Sequence, residues 1–458
     1  MLRRTILIHF PRRFVSISTG AKNSSTLLRA QLDLNDITSR PELYRESIRR
    51  RLLPEELVHD LDFIVQNRPK QAQNFSKINA LKRERRSLEE MLKTKSLEHD
   101  GKTKLKEIKS ELQLLERESR DMQEEIYKRA ERLPNLLDET VPALTKQEEL
   151  IEYINLDPKE VEGLTTSKDH KQIGENLGIV DFSTASRVSG PSWYYLIGDG
   201  ALLEQALVQY ALSQARMRGY KMVAPPSMIK SEVVYACGFK PNDQNNEKQV
   251  YQIEGEPLSL TGTAEIPLGA LHSSTVFPPH TKFPLKYCGV SRSYRAEAGA
   301  SGKDTRGLYR VHEFTKVELF HFTVSENSRT ELEEIKNFQV DIVKCLGIKA
   351  RLLNMPTSDL GAPAMKKYDI EAWMPGRGSW GEITSSSNCG EYQSRRLGIR
   401  YNKDDKVQHV TTLNGTCLAV PRVIVALLEQ NYDPVKNVVH IPDVLKPYMD
   451  SKKVICKN

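Results

Sequence analysis

Tyr294-Arg295-Ala296-Glu297 leads into a stretch of small and charged residues, 298–306 (AGASGKDTR), and then into Gly307-Leu308-Tyr309-Arg310-Val311-His312-Glu313-Phe314. The pattern predicts two strands, 293–297 and 307–314, joined by a loop. Side chains alternate along a strand, so Arg295 and Glu297 are expected on one face. Such a pair is either a plain ion pair or a phosphate clamp with a neighbouring donor and acceptor. The planar guanidinium fork suits bidentate phosphate contact.

Around this core the chain alternates less regularly. Strand-like runs fall at 221–224, 284–288, 316–322 and 367–374, and a closing helix at 420–430. A helix is predicted over 201–218, where Leu203, Ala206, Leu207, Tyr210 and Ala211 share a face and Gly219 stands in the C′ position. The sequence reads as α+β: an antiparallel sheet flanked by helices, not a βαβ alternation. No GxGxxG follows a strand and no GxxxxGK[ST] occurs, which disfavours Rossmann and P-loop nucleotide binding.

A chain of 458 residues has room for two or three domains, and 39% hydrophobic with 28% charged residues is an ordinary globular balance. No apolar run approaches the roughly 20 residues of a membrane span, so no membrane insertion is expected. The six cysteines are scattered without a CxxC, which argues against a disulfide framework or a zinc finger.

The net charge of +7 is unevenly placed. Arg3, Arg4, Arg12, Arg13, Lys22 and Arg29 precede the first acidic residue, Asp33. This Arg- and Ser/Thr-rich, acid-free stretch, with Leu2, Ile6, Leu7 and Phe10 on one helical face, is the pattern of a mitochondrial transit peptide over residues 1–32. A disordered basic tail is the plainer alternative.

Residues 33–140 form a helical segment. A helix is expected over 41–66. Then Ile78, Leu81, Leu88 and Leu92 are spaced by 3, 7 and 4, and after His99-Asp100-Gly101 the stripe returns at Leu105, Ile108, Leu112, Leu115, Ser119, Met122, Ile126 and Leu133. Two heptad runs around a Gly-containing break predict an antiparallel coiled-coil hairpin. Residues 70–109 carry twelve Lys/Arg against six Asp/Glu, so the basic excess lies on the first helix and the tip. It is either a solvated helix face or a surface for a phosphate backbone. Residues 141–190 are expected to be a linker and the start of a second domain over 191–450, followed by a tail over 451–458.

The segment 294–314 resembles motif 2 of the class II aminoacyl-tRNA synthetases in its seryl form. The resemblance continues in order through Thr263-Ala264-Glu265, Lys316-Val317-Glu318, Asp369-Ile370-Glu371, 382–388 (EITSSSN), Asn414-Gly415-Thr416 and Arg422. The hairpin resembles that family's tRNA-binding arm. The likeness covers roughly residues 35–450.

The resemblance implies a serine–tRNA ligase that uses ATP and Mg2+ to form seryl-adenylate and charges tRNA(Ser), working as a homodimer in the mitochondrial matrix. It implies catalytic roles for Arg295, on the α-phosphate, and Arg422, on the γ-phosphate. ATP contacts are implied for Arg295, Ala296, Glu297, Val311, Phe314, Glu382, Ile383, Thr384, Ser385 and Arg422, with Mg2+ on Glu382 and Ser385. Serine contacts are implied for Thr263, Ala264, Glu265, Arg295, Glu318 and Thr416. Lys93, Lys95, Lys104 and Lys106 are expected to meet tRNA. Pro421, where many bacterial members have Gly, resembles the animal mitochondrial branch. The alternative is a catalytically silent synthetase-like protein that binds tRNA or another partner. A plain coiled-coil scaffold would explain the arm alone.

Overall fold

The computed structural model describes residues 29–93, 100–157, 159, 168–240, 249–297, 307–404 and 406–457. Its centre is an eight-stranded sheet: β1 (Glu149–Ile154), β2 (Lys221–Val223), β3 (Leu285–Tyr294), β4 (Glu313–Thr323), β5 (Ala350–Asn354), β6 (Lys366–Met374), β7 (Ser379–Asn388) and β8 (Thr411–Ala419). The spatial order is β1-β5-β6-β7-β8-β4-β3-β2, antiparallel except for the parallel β2–β3 pair at one edge.

Strand β4 (EFTKVELFHFT) sets the layers through its period of two. Val317 and Leu319 point into the main core, beneath the helices Asp199–Met217, Ser328–Cys345 and Val420–Gln430. Phe320 and Phe322 point the other way, into a second apolar cluster with Val234, Ile266 and Leu397. The helix Asp199–Met217 ends as its sequence predicts. Gly219 adopts φ +80°, its N–H reaching the Arg216 carbonyl at 3.0 Å and that of Tyr220 the Ala215 carbonyl at 3.1 Å.

The N-terminal half is helical. The run expected at 41–66 is interrupted: one helix spans Pro41–Arg50, the chain turns through Leu52 at φ +53° and Pro54, and the next helix spans Glu56–Lys93. The latter pairs with Asp100–Arg132 in the expected hairpin. Ile78, Leu81, Leu88, Ile108, Leu112 and Leu115 form the outer seam. Leu61, Ile64, Met122, Ile126 and Leu133 pack nearer the root. Gly101 sits in the first turn of the second helix, not in the break; residues 94–99 lie outside the described residues. Arg51 ties the root to the sheet-bearing half. Its buried guanidinium donates to the carbonyls of Gly361 at 2.9 Å, Ala364 at 2.7 Å and Asn135 at 3.1 Å.

The segment expected to link the halves contributes the edge strand β1. Of the expected leader, residues 1–28 lie outside the described residues. Arg29 makes a two-pronged pair with Glu124, and the Gln31 N–H reaches the Arg395 carbonyl at 2.7 Å.

Candidate active site

On the second-cluster side of β4, the two residues preceding Phe320, Lys316 and Glu318, are charged. Phe314, Lys316 and Glu318 follow the same alternation toward the end of the strand where Phe314 and Lys316 line a cleft. The expected continuous strands are not what builds its rim. Most of run 284–288 and the first two residues of run 293–297 belong to one strand, β3, which ends at Tyr294, so Arg295 and Glu297 lie just past it. Residues 307–312 are turns and bends, not a strand. Gly307 has φ +83°, and regular pairing with β3 begins only at Glu313. Arg295 and Glu297 still meet in the cleft, as the sequence led us to expect. Glu297, itself at φ +47°, pairs with Arg310 at 2.9 Å.

Two bulges complete the walls. Across β6–β7, Ile370 pairs with Thr384 and Glu371 with Glu382, so Ile383 is an extra residue. Across β8–β4, Thr416 pairs with Glu318 and Leu418 with Val317, leaving Cys417 extra. Residues three apart on a regular strand face opposite ways, but a bulge re-aims them. Glu382 and Ser385 therefore share the cleft, as do Thr416 and Ala419. Ile383 and Thr384 turn into the interior, so only their backbone is left to serve a ligand in the cleft. Strands β7 and β8 pair only over 386–388 and 413–415 and part beyond. Gln339, buried in the helix behind, spans the opening. Its amide donates to the carbonyls of Ser385 at 2.7 Å and Thr416 at 2.9 Å. Gly415 leaves room for that helix, since a Cβ there would lie 2.3 Å from Ile335 Cγ2.

The cleft floor holds a buried charge cluster. Lys316 Nζ is 2.7 Å from Glu318 Oε2 and 3.0 Å from Thr263 Oγ1. Glu318 Oε1 is buried without a hydrogen-bond partner, a costly state that a ligand's donor would relieve. Burial raises the Glu318 carboxyl against the pull of Lys316 and Arg295. Burial, reinforced by the Glu318 charge, pushes Glu265 up to about 7. Glu265 Oε1 accepts from the amides of Gln393 at 2.8 Å and Asn414 at 2.9 Å. Ala264 is fully buried beside it.

Two arginines, Arg295 and Arg422, line the same cleft. Burial and the Arg422 charge both lower the Arg295 pKa. Arg295 lies over the Phe314 ring at 5.3 Å. Arg422 donates to the carbonyls of Tyr309 at 3.2 Å and Glu382 at 3.0 Å. Pro421 opens its helix in the first turn and lines the cleft. Burial alone would raise Glu382; Arg422, Lys367, Arg295 and Lys316 outweigh it and hold the carboxyl at about 2. His312 is engaged elsewhere, its Nδ1 3.1 Å from both Tyr251 Oη and the Arg295 carbonyl.

Lys316, Gln339, Gln393 and Tyr309 were not among the expected site residues. Lys316 was within sight, because it shares a strand face with Glu318 and Phe314. The other three depend on long-range packing. On the arm, Lys104 and Lys106 are exposed, and Lys104 pairs with Glu84 at 2.9 Å. Lys93 closes its helix, and Lys95 lies outside the described residues.

An antiparallel sheet with two arginines lining its cleft and buried carboxylates beside them has the features of a class II aminoacyl-tRNA synthetase core. The family model "tRNA synthetase class II core domain (G, H, P, S and T)" matches residues 249–431. The chain is 44% identical over 453 residues to the mitochondrial serine–tRNA ligase of Saccharomyces cerevisiae, covering 97% of this chain and 99% of the relative. It is 45% identical over 333 residues to that of Schizosaccharomyces pombe, covering 71% and 68%. The crystal structure of seryl-tRNA synthetase from Pyrococcus horikoshii complexed with ATP superposes with a TM-score of 0.86 at 33% identity, covering 93% of this chain and all of that one. The chain belongs to the seryl-tRNA synthetases. These mitochondrial relatives are fungal, whereas Pro421 had suggested the animal branch.

Proposed function

We propose that this serine–tRNA ligase binds serine on the Lys316–Glu318–Thr263 cluster and ATP between Arg295 and Arg422. The observation that carries the reading is the orphaned, buried Glu318 oxygen a short way from two arginines set for an anion. Serine brings an ammonium and a hydroxyl to Glu318, Glu265, Thr263 and Thr416. Its carboxylate, already ionised, attacks the α-phosphorus and pyrophosphate leaves. Positioning and charge stabilisation suffice, with no general base. Arg295 meets the charge developing at that phosphorus, and Arg422 holds the γ-phosphate. Glu297 and the Val311 backbone receive the adenine, which displaces Arg295 from Phe314. Ala296 and the backbone of Ile383 and Thr384 complete the nucleotide wall. In the second step the 3′-terminal ribose hydroxyl of tRNA(Ser) attacks the seryl carbonyl and AMP leaves.

Glu382 and Ser385 fit Mg2+. One carboxylate held ionised and one hydroxyl form an all-oxygen set, which suits an ion that takes its remaining ligands from phosphates and water. Among the described residues no group of three or more His, Cys, Asp or Glu side chains is placed to hold a metal. When bound, the ion neutralises phosphate charge. The arm, through Lys93, Lys95, Lys104 and Lys106, takes the tRNA backbone. The protein acts as a homodimer in the mitochondrial matrix, to which a leader within the first 32 residues directs it. Among the described residues no helix is long and apolar enough to cross a membrane.

The test is exchange of labelled pyrophosphate into ATP. Serine-dependent exchange is expected, with threonine and alanine far weaker. A protein that folds and binds tRNA but shows no exchange contradicts the reading and favours a silent synthetase-like protein.

A further inference from the structure

Away from the charge cluster, one histidine reaches the wall of the cleft through the backbone. His170 opens the helix His170–Leu177 and is almost fully buried. Its Nδ1 lies 2.7 Å from Glu429 Oε1, and its own N–H donates to the same oxygen at 3.0 Å. The other Glu429 oxygen accepts the Gly376 N–H at 2.8 Å. On the far side of the ring, Nε2 accepts the Leu308 N–H at 3.1 Å. A backbone amide only donates, so Nε2 carries no proton and Nδ1 holds the one directed at Glu429. The tautomer is fixed from both sides, as when a carboxylate orients an imidazole for work at its other nitrogen.

What the ring holds is the segment that replaces the expected strand. Leu308, Tyr309, Arg310 and Val311 all line the cleft. Gly307 packs flat against the imidazole; a Cβ there would lie 2.1 Å from Nε2. One helix therefore grips this segment at two peptide units, one on each side of the 308–309 peptide. Val420–Gln430 supplies Arg422, which donates to the Tyr309 carbonyl at 3.2 Å, and Glu429, which acts on the Leu308 N–H through His170. The chain just past the segment is tied to β3's end, where the Arg295 N–H reaches the His312 carbonyl at 2.9 Å.

We propose that His170 is a positioning residue for the nucleotide: oriented by Glu429, it fixes the 308–311 segment against which ATP is bound. It touches no substrate. The inference rests on the ATP reading given above and adds to it a residue far away in sequence. The serine cluster, on Thr263, Lys316 and Glu318, is held by separate contacts. Loss of the His170 contact is therefore expected to act on ATP and not on serine.

Asparagine and glutamine separate the two ends of the ring. His170→Asn keeps an amide donor for Glu429 but cannot reach Leu308. His170→Gln places an acceptor near the Nε2 position and restores the Leu308 contact. Pyrophosphate exchange gives the KM for each substrate, and calorimetry gives ATP binding independently of catalysis. One net hydrogen bond corresponds to roughly a tenfold change. His170→Asn is expected to raise the ATP KM and Kd about tenfold while the serine KM stays within about twofold, and His170→Gln to recover most of the loss. Gly307→Ala, which forces the ring and the segment apart without touching Glu429, is expected to reproduce the ATP-selective defect. Equal ATP values for the Asn and Gln variants, a matching rise in the serine KM, or an unaffected Gly307→Ala each overturns the inference. If the unaltered protein binds no ATP, the ATP reading itself falls and this inference falls with it.

Discussion

Lys104 on the arm and Lys316 in the cleft each hold a glutamate, at 2.9 Å and 2.7 Å, and the resemblance in distance is misleading. The Lys104–Glu84 side chains are 59% and 43% exposed; those of Lys316 and Glu318 are 9% and 1%. Water screens the first pair, whose contribution to stability is about 0–1 kcal/mol. The second pair is poorly solvated, so each partner leans on the other. Charge on the arm thus sits in water along an exposed surface, where the proposed tRNA backbone contact would be made. Charge in the cleft is committed to fixed geometry, and part of it is left unsatisfied until a ligand arrives.

The largest break in this comparison is expected at Arg295. Arg295→Ala removes the guanidinium proposed to meet charge at the α-phosphorus, and serine-dependent exchange should fall about 10²–10³-fold or more. Its hairpin should remain folded by circular dichroism. Lys316→Met comes next. It leaves Glu318 buried without its cation, a loss of about 3–5 kcal/mol if the carboxyl stays ionised. Glu318 instead takes up a proton as its raised pKa climbs further. A folded-state acid with a raised pKa loses stability as pH rises above the unfolded value, so urea unfolding should show a larger deficit at pH 8 than at pH 5.5. Lys104→Met, the matching change on the arm, should cost less than about 1 kcal/mol at either pH.

Much of this site was legible because its residues travel in short ordered runs. Arg295 with Glu297, Glu318 with Thr263, and Arg422 in its helix were each expected and each reach the cleft region. The hairpin was equally legible, since a heptad stripe is a local pattern. Sequence failed where geometry departs from a regular period. The run 307–314 was expected to be a strand, but Gly307 and the His170 contact hold its first residues as a turn. The bulges at Ile383 and Cys417, which bring Glu382 to Ser385 and Thr416 to Ala419 on one wall, cannot be seen in a run of side chains. Gln339 reaches across 46 and 77 residues and Gln393 across 128 to Glu265, and no local signal marks them.

A smaller effect sharpens the electrostatic side of the comparison. Burial and Glu318 hold Glu265 at about 7, so it is protonated at pH 6 and ionised at pH 8. In the proposed serine site the ionised form attracts the ammonium. The serine KM should therefore fall severalfold as pH rises through 7, and Glu265→Gln should flatten that dependence; the profile of KM against pH reads it. The smallest effect is expected on the arm. Reversing the charges of Lys104 and Lys106 should weaken tRNA binding and reduce the slope of log affinity against log salt by about one to two, measured by filter binding, with exchange unchanged.

The separation of the two regions is tested most directly by removing the outer arm. Deleting residues 77–114 and joining the stumps by a short turn leaves the root cluster of Leu61, Ile64, Ile126 and Leu133 in place. On one preparation, pyrophosphate exchange is measured without tRNA and aminoacylation with it. Serine-dependent exchange close to that of the intact protein, together with charging reduced by orders of magnitude, is the predicted result. Undiminished charging by the shortened protein, or exchange that collapses along with charging, would contradict it.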